Sequence, residues 1–128
     1  MLDYDAYHTA VKGEVNDVFY YYREQAAVQA KQFQRALDDL AKAIELNPKE
    51  LTYFSELAVV NIRVGRNEEA IKVLKDALEI DSKYAEAYRL IGVAQLQLKQ
   101  NKEACASFAK AKELGDPNVD ALIEKHCK

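Results

Sequence analysis

The chain has 128 residues, enough for one domain that on folding hides about two-thirds of the surface its unfolded form exposes. Eighteen Lys and Arg stand against 21 Asp and Glu, a formal charge of −3 with no basic run, so neither nucleic acid nor an anionic membrane meets an electrostatic footprint. The longest apolar runs, LAVV and LIGVA, fall far short of the roughly 18 residues a membrane span needs. The opening MLDYDAYH lacks the basic start and apolar middle of a secretion signal, and none is expected.

Two prolines (Pro48, Pro117) and four glycines (Gly13, Gly65, Gly92, Gly115) interrupt a chain rich in Ala, Leu, Glu, Lys and Gln, the strong helix formers. No segment alternates as a strand does, so the fold class is all-α. In chain order, LDYDAYHTAV reads as a helix followed by the loop KGEVND, and later helices end at IELNPKE, IRVGRN, IDSKY and LGDPN. In the last of these Gly115 suits a left-handed position after a helix, Asp116 an N-cap and Pro117 the first turn of the next. PNVDALIEKHCK then sets Val119, Leu122 and Ile123 at helical spacing opposite Asp120, Glu124 and Lys125, a terminal helix covering what precedes it. Cys105 and Cys127 have neither a CxxC partner nor a histidine at metal-ligand spacing. Two reduced thiols are expected, Cys105 a small apolar residue on a helix face and Cys127 exposed, with a cytoplasmic location and no cofactor or metal.

Shifting the chain along itself by about 34 residues superposes like on like. Ala36, Ala70 and Ala104 coincide, as do Ala43, Ala77 and Ala111; Leu40, Leu74 and Phe108; Tyr20, Phe54 and Tyr88; and Leu46, Ile80 and Leu114. Alanines at paired positions let antiparallel helices approach, and the large residues fill the space between one unit and the next. No such unit buries its apolar face alone, so the units stack.

On these residues the chain resembles the tetratricopeptide repeat family. Tyr20, Ala36, Leu40, Ala43 and Pro48 carry the family pattern in the first unit; Phe54, Leu57, Ala58, Ala70, Leu74 and Ala77 in the second; Tyr88, Ile91, Gly92, Ala104, Phe108 and Ala111 in the third. Ser82 stands where Pro is usual, Pro117 is displaced by one place, and Glu24 occupies the small-residue position of the first unit. The resemblance implies a right-handed α-solenoid of helix-turn-helix repeats at 17–50, 51–84 and 85–118, a capping helix at 119–128, and at 1–16 the remnant of a preceding repeat.

The aromatic run VFYYYREQ covers too much of a helix circumference to face one core. The repeat register makes Tyr20 a packing residue, sends Phe19 and Tyr22 toward DYDAYHTAV, and leaves Tyr21 facing the concave groove that the family's leading helices line. Corresponding groove places are Val18, Gln25, Val28 and Gln29; Thr52, Ser55, Glu56, Val59, Ile62 and Arg63; and Glu86, Arg89, Leu90, Val93, Leu96 and Gln97. Val28, Ile62 and Leu96 share one register and, beside Val59 and Val93, suggest an apolar strip, the usual mark of a binding surface; they could equally pack on one another. Glu56 and Glu86 are expected to cancel against Arg63 and Arg89, which argues against a strongly charged ligand.

Some family members hold the acidic C-terminal tails of chaperones in a clamp of Lys, Asn and Arg. Those places here read Tyr21, Gln25, Glu56, Glu86 and Leu90, so no such binding is expected. No catalytic set assembles: His8 and His126 lie at opposite ends of a stacked array, Asp38 and Asp39 read as a solvated helix face with Lys42 one turn on, and no Gly-rich phosphate loop occurs. The expectation is a scaffold, not an enzyme, holding a peptide of apolar to mixed polarity. The alternatives are a structural or self-associating piece of a longer array, a homo-oligomer among them, and a regulatory domain of a larger protein.

Overall fold

The computed structural model describes residues 16–128, and the helix read at LDYDAYHTAV, with His8 and the expected contacts of Phe19 and Tyr22 to it, lies outside them. The described residues form α1 (Asp17–Gln29), α2 (Phe33–Leu46), α3 (Leu51–Arg63), α4 (Asn67–Ile80), α5 (Ala85–Gln97), α6 (Asn101–Glu113) and α7 (Asp120–His126), with no strand among them. The helices pack in sequence as antiparallel pairs, α1 on α2, α3 on α4, α5 on α6, each pair against the next. The result is an all-α helical repeat solenoid.

The turn inside each pair is the same. Lys31, Gly65 and Lys99, one repeat apart, take left-handed φ values of 59°, 83° and 66°. The following amides of Gln32, Arg66 and Gln100 donate to the carbonyls of Ala27, Asn61 and Gln95 at 2.8, 2.8 and 2.9 Å, closing each leading helix on its own last turn. Glycine takes this conformation freely, whereas each lysine does so at a cost of about 1 kcal/mol.

Ala36, Ala43, Ala70, Ala77, Ala104 and Ala111 are fully buried, as are Leu40, Leu74 and Phe108. Sizes are matched across each helix crossing. Ala58 shares a cluster with Leu74. Gly92 faces the larger Phe108, where an added Cβ would sit 2.6 Å from Phe108 Cδ1. The first pair has Leu40 at this position and Glu24 opposite.

At the C-terminal end two expectations change. Gly115 is left-handed as read (φ 92°), but the next helix starts at Asp120 with Pro117 outside it. Asp116 instead accepts from the Asn118 amide (2.6 Å) and from Arg89 (3.0 Å). The cysteines are not free thiols: Cys105 on α6 and Cys127 after α7 form a disulfide, their Cα atoms 5.7 Å apart. Val119, Leu122 and Ile123 bring α7 onto Phe108, Ala104 and Ala111, and that docking carries Cys127 to Cys105.

Gly92→Ala is expected to lower stability by about 1–2 kcal/mol, because overpacking against Phe108 outweighs the roughly 1 kcal/mol helix-propensity gain. Phe108→Leu in the same chain should recover part of the loss; a urea melt showing stabilisation by Gly92→Ala alone would contradict the size matching. Reducing the disulfide, or Cys127→Ser, should cost about 3 kcal/mol for a loop of this size. Thiols that alkylate fully without reductant, with an unchanged melt, would show that α7 is not stapled.

Candidate functional site

Each pair lays its second helix on the leading helix of the next, α2 on α3 and α4 on α5, and the leading helices also meet, α3 against α5 and α1 against α3 through Tyr21 and Tyr53. The Tyr21 ring lies 5.3 Å from that of Tyr53, and the buried Tyr53 hydroxyl donates to Asp17 Oδ2 (2.5 Å), which also accepts from Asn47 (3.2 Å). That hydroxyl holds the Asp17 carboxyl below the usual carboxylate range, against the effect of burial.

The expected groove residues divide into two groups. Gln29, Thr52, Arg63 and Gln97 are exposed, and Val18, Gln25, Glu56 and Glu86 are half-buried on the same helices. The Tyr21 phenol beside them is pushed up by burial and then by the charges of Glu56 and Glu24. Other positions turn inward. Ser55 and Leu90 are buried, with the Ser55 hydroxyl donating to the Thr52 carbonyl at 3.0 Å.

The apolar register is not an open strip. Ile62 is 8% exposed within the cluster of Ala70, Leu74 and Leu90, Val28 packs with Ala27, Leu37 and Val60, and Leu96 with Ala104 and Phe108. Each meets the start of the helix that returns from the turn, and Val28 and Ile62 also pack against the next leading helix, at Val60 and Leu90. Val59 and Val93 are half-buried on the cluster that holds Ile62, and Val93 reaches that of Phe108 as well.

Residues 62–99 match a family described as TPR repeat, and residues 85–114 one described as tetratricopeptide repeat. Residues 62–114 of the chain are tetratricopeptide repeats. No curated protein sequence matches it. Among solved structures, the Arabidopsis OM64 TPR domain is 28% identical with a TM-score of 0.77, over 85% of this chain and 91% of that one. The Sgt2 TPR domain of Aspergillus fumigatus is 23% identical, TM-score 0.78, over 87% and 76%. The first TPR of Spaghetti (RPAP3), solved bound to the HSP90 peptide SRMEEVD, is 18% identical, TM-score 0.78, over 88% and 90%.

The balance of charge on the leading helices differs from the sequence expectation. Arg89 is held by Asp116, and the Arg63 guanidinium lies 5.2 Å from the centre of the Phe33 ring. Neither neutralises Glu56 or Glu86. Asp39, expected on a solvated face, is buried and accepts from Arg23 at 2.6 Å. Lys42 pairs with Glu45 instead. The residue that sequence reading undervalued is Glu24. It is 1% exposed, its Oε1 has no hydrogen-bond partner, and burial, then Glu56, then Asp39 push its carboxyl up to about 8. Glu56 is raised too, by burial and then by Glu86. The signal lay in plain view, an acid at the place of Ala58 and Gly92. Among the described residues, no group of three or more His, Cys, Asp and Glu could hold a metal ion.

Because native Glu24 keeps its proton to a higher pH than the unfolded chain, its stability contribution is fully present below about 4.5. It is lost as pH rises toward about 8. Glu24→Ala should therefore stabilise the protein near pH 8 by about 1–3 kcal/mol, the cost of an unsatisfied buried group. Glu24→Gln should flatten the fall between pH 5 and 8 in denaturant melts, and an unaltered pH slope in both variants would contradict the assignment.

Proposed function

We propose that the chain is a non-catalytic scaffold that holds an extended segment of a protein partner on the face of α1, α3 and α5. The observation that carries the reading is that three equivalent helices stand adjacent, with Gln25, Gln29, Thr52, Arg63 and Gln97 at least partly open to solvent over the half-buried Val59 and Val93. Amides fix the main chain of a bound segment, and apolar side chains behind them supply contact area, the usual composition of a polar-rimmed recognition surface. The solved structure of the Spaghetti (RPAP3) TPR with a bound peptide supports peptide capture as something this fold does. An acidic tail of that kind would meet Glu56 and Glu86, so this chain is expected to take a different segment. The Cys105–Cys127 bond fits a compartment in which disulfides persist better than the reducing cytoplasm suggested by the sequence.

Amide shift mapping by NMR, using peptides recovered from a random display library panned on the whole chain, tests the site. Shifts should gather on Gln25, Gln29, Val59, Arg63, Val93 and Gln97; shifts confined to α2, α4 and α6 would place binding on the opposite face.

A further inference from the structure

The arginines on the leading helices are engaged within the fold: Arg23 with Asp39, Arg89 with Asp116, and Arg63 against the Phe33 ring. The carboxylates Glu24, Glu56 and Glu86, one on each of α1, α3 and α5, have no ion pair among the described residues. Glu56 stands between the other two electrostatically, since its charge acts on Glu24 and the charge of Glu86 acts on it. Glu24 is almost wholly buried with Oε1 unbonded, so the fold itself does not satisfy it. The remaining titratable groups facing the three are Tyr21 on α1, Asp39 on α2 with its charge taken by Arg23, and Tyr84 just before α5. Three acids on successive leading helices, one of them buried with an unbonded oxygen, repel each other unless protons or a cation intervene.

We infer that this face recognises a lysine or arginine side chain of its partner at Glu56, between Glu24 and Glu86, with neighbouring apolar residues of the same segment on Tyr21, Val59 and Val93. The inference rests on the peptide-binding reading of the face and specifies the chemistry of what binds there. A cation at Glu56 lies in the field of all three carboxylates, and its arrival lets Glu24 release its proton. Affinity is therefore linked to pH: it rises as pH rises toward and past the value at which free Glu24 ionises.

The test pans a random peptide display library on the full chain and titrates the recovered peptides as synthetic copies, alongside copies with Lys replaced by norleucine or Arg by citrulline. Peptides with a Lys or Arg among apolar residues should dominate, and removing that charge should weaken binding by ~10-fold or more, the scale of a charge-assisted hydrogen bond. Glu56→Gln should give the same loss and abolish the difference between charged and neutral copies. Glu86→Gln, at the start of α5 and outside the buried clusters, should reduce that difference even if Glu56→Gln proves unstable. Affinity of the charged peptide should rise by ~10-fold between about pH 6 and pH 9. Recovered peptides that lack Lys and Arg yet shift amides on α1, α3 and α5 overturn the cation inference and leave the peptide site standing. Peptides that shift only α2, α4 and α6, or recovery of none, overturn both.

Discussion

The structure depends on how closely two helices of a pair can approach. Fully buried alanines at 36, 43, 70, 77, 104 and 111 bring the backbones together, and one large residue per pair fills what remains. Interiors packed at crystal density have little freedom here, so the residue facing Leu74 or Phe108 must be small. Ala58 and Gly92 obey that constraint, and they obey it in proportion, glycine facing the larger ring. The same approach lines up the leading helices, and thereby creates a face on which side chains from separate repeats act together.

Glu24 breaks the rule in the first pair, and several features around it follow from the breach. A carboxyl where the fold wants a methyl group is desolvated without a hydrogen bond to Oε1, beside an Asp39 whose charge Arg23 already takes up. Proteins retain unsatisfied buried polar groups where these serve something other than stability. Here the buried acid lies electrostatically next to Glu56, on the face that α1, α3 and α5 share. A buried acid that the first pair leaves unsatisfied and the acidic character of that face thus meet in one side chain.

Much of the fold was legible in the sequence, because a period of small and large residues recurs with helix-ending signals between. Gly65 and Gly115 adopt the left-handed backbone that their places demand, and Val119, Leu122 and Ile123 do cap the last pair. What was not legible depends on partners distant in sequence. The disulfide needs α7 to fold back over α6, which no spacing of two cysteines reveals. The apparent cancellation of Glu56 and Glu86 by Arg63 and Arg89 failed because Asp116 and Phe33 take the arginines first. Ile62, read as part of an open strip, is buried because the start of α4 lies against the end of α3. Helical register alone says which way a side chain points, not what stands in front of it.

Residue-resolved hydrogen exchange at pH 6 and pH 9, corrected for intrinsic rates, tests most directly that one misplaced acid weakens the first pair of an otherwise uniform array. Amides of α1 and α2 should lose protection at the higher pH while those of α5 and α6 keep theirs. Equal changes in both pairs, or none in either, would contradict the account.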